Sequence, residues 1–127
     1  MPAVELRPVR GTRVVADPTA LNHASTPPGA VVLKIAADEA LVLGDGPVHV
    51  DDPHALVLSD NGWSVATLTW PEVDRLVLPH VEWHLHRRRG LAQGRVAGVP
   101  ARLWMEDERV LLITQTAYAD ELAERLR

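Results

Sequence analysis

The chain has 127 residues, a formal net charge of −4 and no cysteine, and 46% of it belongs to the hydrophobic set. That length suits one domain of ordinary size, and that composition buries a core without covalent staples. Lacking cysteine, the chain has no disulfide framework, thiolate zinc site or cysteine nucleophile. No run approaches the roughly 20 apolar residues of a membrane span, and the N-terminal stretch has no apolar core of signal-peptide length. The negative balance disfavours nucleic acid, where phosphate neutralisation supplies most of the sequence-independent affinity. A cytoplasmic protein with no nucleic-acid and no membrane partner is the expectation.

Residues 1–29 mix Pro, Gly, Thr, Asn and Asp with short apolar stretches and close in the linker-like run Ser25, Thr26, Pro27, Pro28, Gly29. They are expected to form an irregular N-terminal arm, with one helical turn capped by Asp17 and started by Pro18. A single α+β domain is then expected over residues 30–127. Residues 31–35 and 40–43 read as strands around a four-residue turn, and 44–47 as a second turn. The Asn61-Gly62 pair between apolar runs predicts a hairpin over 54–70, because this dipeptide favours the tight turn that joins twisted strands. Thr69 and Glu72 then fit a capping box that opens a short helix, which should stop near Leu78 because Pro79 cannot continue it.

Residues 91–97 and 101–105 flank Gly98, Val99 and Pro100 and read as another hairpin. The run 109–114 reads as a buried central strand. Thr116 is expected to cap a last helix whose inner face holds Tyr118, Leu122 and Leu126, with Ala119 and Ala123 beside them. From residue 63 the order is strand, helix, three strands, helix, which is an α+β pattern with helices on one face of a mainly antiparallel sheet.

The residues that suggest chemistry lie in 83–89. On a strand, His84 and His86 would project from the same face and share a metal, though two imidazoles do not complete a site and the neighbouring arginines oppose a cation. Arg87, Arg88 and Arg89 suit a carboxylate, a phosphate or an acidic partner surface. Trp83 suits a partner contact, as does Trp104, because tryptophan is favoured as an interface anchor. The four tryptophans, with no phenylalanine, include a pair of opposite facing, so that one of Trp63 and Trp70 belongs in the core. Asp51 and Asp52 beside His49 and His54 read as turn residues that bond local backbone. Ser59 and Ser64 lie in no nucleophile pattern, so no catalytic residue is assigned.

The motif order resembles a known family. Ala37, Asp38, Glu39, Ala40, Leu41, Val42, Leu43, Gly44 looks like the Pro-Asp-Glu-Trp-Leu-Leu-(Leu/Val)-Gly strand of the gamma subunit of heterotetrameric sarcosine oxidase. Residues 63–77 are similar to its next strand and proline-started helix, residues 93–104 to its Gln-Thr-x-x-x-Gly-Val-Pro-x-x-Leu-Trp hairpin, and residues 116–126 to its closing helix. The resemblance covers about 30–127, with Gly94 in place of the family's threonine and Trp70 in place of its glycine.

The family is related to the folate-binding domain of the glycine-cleavage T-protein. The resemblance therefore implies a ferredoxin-like sheet backed by two helices, and an accessory subunit that carries neither flavin nor the amine-oxidising chemistry. Its implied partners are larger oxidase-type subunits or a second copy. No cofactor is assigned to this chain; folate is the ligand that the kinship makes possible. Two alternatives stand beside the accessory role: a stand-alone folate-binding or one-carbon module, and a metal-dependent enzyme using His84 and His86.

Overall fold

The computed structural model describes residues 3–86 and 89–127. The chain divides into two compact units, Met1–Pro8 with Trp63–Arg127 and Val9–Gly62. Strand β1 (Arg7–Val9) lies at the edge of the five-stranded sheet of the first unit. β2 (Gly11–Val15), α1 (Pro18–Asn22), β3 (Val31–Ala36), β4 (Glu39–Leu43) and β5 (Leu56–Ser59) make the second. Residues 1–29, expected to be an irregular arm, thus carry two strands and a helix. Pro8 inside β1 and the break at Arg10 between β1 and β2 interrupt the alternation that marks a strand, which is why composition alone reads this stretch as loop.

In the second unit the sheet order is β3-β4-β2-β5, with antiparallel pairing throughout. One face presents Val14, Ala40 and Val42, which pack with Leu21 of α1, Ala16 and Val50 into a small core. Asp17 caps α1 as expected, its Oδ2 accepting from Thr19 N at 3.1 Å and Ala20 N at 3.3 Å, with Pro18 in the first turn.

The hairpin expected over 54–70 does not form. β5 pairs with β2, whereas β6 (Trp63–Leu68) joins the other sheet beside β9. A two-residue hairpin turn of the favoured kind needs positive φ at both central residues, and neither Asn61 nor Gly62 has it. Asn61 and Asp60 bond β2 instead. Asn61 Oδ1 accepts Gly11 N at 3.0 Å, Asp60 N donates to Gly11 O at 2.8 Å, and the Asp60 carboxylate takes the Arg13 guanidinium at 3.0 Å.

In the first unit, α2 (Trp70–Glu72) opens with the expected capping box: Thr69 Oγ1 accepts Glu72 N at 3.3 Å, and Glu72 Oε1 accepts Thr69 N at 3.0 Å. The helix widens to π geometry over Val73–Val77 and ends in a 3₁₀ turn, Leu78–His80. Pro79 lies inside that last turn, so the helix runs past Leu78 by tightening. The expected stop is corrected to His80, since a 3₁₀ turn tolerates proline in its first positions, where no N–H is required.

β7 (Gly90–Val96) and β8 (Val99–Met105) form the second expected hairpin, with a shorter turn than the sequence suggests. Ala97 and Gly98 have φ of 50° and 80°, the double positive pair of a two-residue turn. β9 (Val110–Gln115) is the middle strand of the order β1-β6-β9-β8-β7 and is buried from Val110 to Thr114, as the continuous apolar run predicts. β6, β9, β8 and β7 pair antiparallel in succession. Two strands therefore separate β6 from β7 and the two run antiparallel, whereas the split βαβ unit of a ferredoxin-like fold is a parallel crossover.

Both helices cover one face of this sheet. Ala66, Leu68, Leu103, Met105, Val110 and Leu112 meet Val73 and Val77 of the first helix and Leu122 and Leu126 of the second, all nearly or fully buried. α3 (Thr116–Arg125) has Gln115, not Thr116, at its cap position. Thr116 Oγ1 instead bonds the buried Ser64 Oγ at 2.9 Å. The stripe is set by Ala119, Leu122 and Leu126, and Tyr118 falls at its rim, 37% exposed, so its expected place on the inner face is corrected.

Candidate partner and ligand surfaces

After the helix the chain runs back beside β7. Val81 bridges Val96 antiparallel, Ala97 N donates to His80 O at 2.8 Å, and Glu82 Oε2 accepts Gly98 N at 2.8 Å. This path lays the Trp83 ring on Gly94, where an added Cβ would stand 2.6 Å from Trp83 Cε3. Trp83 is half-buried and packs against the main core. The departure from the family's threonine at position 94 thus has a physical reason, because a side chain there would displace the indole.

His84 and His86 lie beyond, in an irregular segment and not on a strand; both are exposed. Their rings meet edge to face with centroids 4.6 Å apart. Among the described residues no group of three or more His, Asp or Glu gathers to hold a metal ion. Arg87 and Arg88 lie outside the described residues. Arg89 pairs with Asp107 at 3.6 Å on the open surface, a contact of little energetic weight.

The turn after β8 is organised by Glu106. Its carboxylate takes Arg109 Nε at 2.5 Å and Trp104 Nε1 at 3.1 Å, and its carbonyl accepts Trp70 Nε1 at 3.1 Å. The Arg109 guanidinium holds the Glu106 carboxyl below its ordinary range; burial pushes the other way and the Trp104 hydrogen bond adds to the lowering. Trp104, expected from the sequence to suit a partner contact, and Trp70 are both tied by their indole N–H groups to this one acidic turn. Arg89 and Asp107 border the open hollow beside it, about 810 Å³, with charges of both signs.

On the sheet face away from the helices, a shallow cleft of about 290 Å³ is lined by Trp63, Gln93, Gly94, Arg102, Ile113 and Gln115, among others. Register builds it: Trp63 stands opposite Gln115, Arg102 opposite Ile113 and Gln93 opposite Arg102. The Arg102 guanidinium lies 4.7 Å from the centroid of the Trp63 ring, a cation–π contact. Trp63 is only 8% exposed, and its Nε1 has no hydrogen-bond partner among the described residues. Of the pair Trp63 and Trp70, Trp63 is thus the core residue and Trp70 the half-buried one. The cleft offers donors and an aromatic wall to a flat, acceptor-bearing ligand. No carboxylate or imidazole lines it, so it provides no group of ordinary proton-transfer range. Sequence reasoning missed this cleft, because nothing in 63–115 marks residues of four strands, β6, β7, β8 and β9, as neighbours before the register is known.

Ser64 and Asp52 behave as structural groups, and Asp51 is exposed. Ser64 is buried against Thr116, and the Asp52 carboxylate accepts Asp17 N at 2.9 Å and His54 N at 2.9 Å. Those backbone hydrogen bonds hold the Asp52 carboxyl below its ordinary range, and the local bonding expected of a turn aspartate is what it does.

No family model matches the chain, and no curated protein matches it. Among solved structures it is similar to a chain of the heterotetrameric sarcosine oxidase from Corynebacterium sp. U-96, solved in complex with pyrrole 2-carboxylate. The TM-score is 0.70 at 15% sequence identity, over 97% of this chain and 80% of that one. At that identity the likeness establishes the fold: a small, mostly antiparallel α+β arrangement like that of a sarcosine oxidase subunit.

Proposed function

We propose that the chain is a non-catalytic accessory subunit of an oxidase-type complex, resembling the gamma subunit of heterotetrameric sarcosine oxidase. The observation that carries this reading is the likeness of fold over 97% of the chain to a protein whose own assembly is heterotetrameric. The order of the four motifs at 37–44, 63–77, 93–104 and 116–126 supports it independently. A T-protein-like ancestry of the larger unit fits the same reading, although its strand order departs from the ferredoxin-like one. The role of such a subunit is to pack against larger chains that carry the redox chemistry.

The test is purification of the native assembly under mild conditions. A larger flavin-bearing chain is expected to co-purify in fixed stoichiometry and to be identified by mass spectrometry and flavin absorbance. A chain recovered alone from its own lysate, with no such partner, overturns the reading. The folate-binding module draws on the cleft beside Trp63, which has an aromatic and arginine wall but lacks the carboxylate that pteridine recognition ordinarily uses. Titrating tetrahydrofolate against tryptophan fluorescence separates the two, since Trp63 lines that cleft. Quenching that saturates would favour the module; an unchanged spectrum at millimolar ligand removes it. The metal-dependent enzyme has only the His84 and His86 pair in its support.

A further inference from the structure

We infer that a recess on the helix-covered face of the four-stranded sheet is a binding site for a small aliphatic carboxylate, its chain lying on the sheet and its head group at Lys34. Residues directly opposite in a ladder project to the same face. Val14 stands opposite Ala40, Lys34 opposite Ala40 and Val32 opposite Val42, so the three strands β2, β4 and β3 bring these side chains to one surface. Leu21 of α1 packs over Val14, Ala40 and Val42 and buries them, whereas Val32 on the edge strand β3 stays 39% exposed. The space left between the helix end and β3 is a recess of about 260 Å³.

Its floor and inner wall are aliphatic: Val14, Ala40 and Val42 below, Leu21 and Ala24 beside them. Polar groups stand at the rim, where Lys34, Asn22 and Thr26 also line the space. Among the described lining residues Lys34 alone is charged. Its ammonium donates to the neutral Asn22 Oδ1, and no carboxylate among the described residues pairs with it. An ammonium has three donors and no acceptor, so the bond to Asn22 leaves donors for an anion and leaves the positive charge uncompensated.

That lining selects the ligand class. An aliphatic floor without polar groups disfavours a sugar or polyol, whose hydroxyls would lose their water without replacement. No aromatic residue lines the recess to stack on a flat ring. One cation suits a monoanion, whereas a phosphate is better matched by several donors or by guanidinium forks. The volume sets the length. An apolar cavity of about 150 Å³ takes the six carbons of benzene, so this recess holds roughly ten non-hydrogen atoms, the size of octanoate.

The experiment titrates straight-chain carboxylates into the wild-type chain by calorimetry. Affinity should rise about fourfold per added CH₂ from butanoate to octanoate and level off by dodecanoate, once the recess is full. 1-Octanol, with the same chain and no charge, should bind about tenfold more weakly, because it lacks the charge-assisted bond. Lys34→Gln should abolish that difference while leaving 1-octanol binding unchanged, and Lys34→Arg should keep most of it. Ala24→Leu, which fills the wall, should weaken both ligands. Lys34 is the only lysine, so reductive ¹³C-methylation, which keeps its charge, gives a single lysine signal that octanoate should shift saturably. Absence of saturable octanoate binding at millimolar concentration overturns the proposal. So do 1-octanol binding as tight as that of octanoate, a lysine signal that octanoate leaves unmoved, and a leucine-terminated tripeptide that binds more tightly than octanoate, which would make the recess a seat for a protein tail.

Discussion

The contact between Trp83 and Gly94 gives a sharp prediction, because position 94 is one of the two where this chain departs from the family pattern it resembles. Gly94→Thr would put a Cβ 2.6 Å from Trp83 Cε3 and 2.8 Å from Cζ3, so the indole must move. Trp83 is half-buried; a tryptophan covers about 150–250 Å², so roughly 100 Å² is at stake. At about 25 cal/mol per Å² this gives a ceiling near 2.5 kcal/mol if the ring is ejected. A partial shift falls in the range of about 1–3 kcal/mol typical of overpacking. The cost should be confined to the larger unit, which contains all four tryptophans, so their fluorescence in urea reports its unfolding and far-UV circular dichroism checks it.

The control is Trp83→Ala, which removes the obstacle. In that background Gly94→Thr should cost less than about 0.5 kcal/mol, since threonine suits a strand better than glycine. The coupling between the two sites should then be at least about 1 kcal/mol. Equal costs with and without Trp83, or a neutral Gly94→Thr in the wild-type background, would refute the idea that the indole excludes a side chain at 94.

Three further outcomes follow from named contacts. Thr69→Ala removes one half of the capping box and should cost about 1 kcal/mol; an unchanged urea midpoint would show that the cap is not needed. Ala97→Gly should raise the midpoint, because a left-handed non-glycine residue carries a penalty of about 1 kcal/mol that glycine lacks; a lowered midpoint would count against the turn geometry at 97–98. Glu106 should make the fold acid-sensitive. Its folded pKa lies below the ordinary value of 4.5, chiefly through Arg109, so its stabilising contribution is present above about 4.5 and is lost as pH falls through the lower folded value. Glu106→Gln should be less stable than wild type at pH 7, with the gap closing as the pH falls below the ordinary carboxylate range; a gap that stays constant down to acid unfolding would sink the assignment.

Local chemistry was legible in the sequence wherever a short stretch decides its own structure. The Thr69 and Glu72 box, the Asp17 and Pro18 helix start, the buried run at 110–114 and the element order from residue 63 all follow from hydrogen-bonding side chains and apolar periodicity within a few residues. The two histidines were legible as neighbours, but not that no third ligand gathers with them among the described residues.

What the sequence could not decide is which strands would meet. Asn61-Gly62 carries the strongest short-range hairpin signal, yet Asp60 and Asn61 bond β2 and the chain leaves for another sheet. The less conspicuous Ala97-Gly98 makes the tight turn. Strand pairing depends on partners fifty residues away, such as Gly11 with Asp60 or Trp63 with Gln115, and its energy is shared among backbone groups that every residue possesses. Amino-acid identity thus fixes caps, turns and faces. Only the assembled sheets decide that Trp63 lies beside Arg102, that Trp83 covers Gly94, and that Leu56-Val57-Leu58 remains on an open edge.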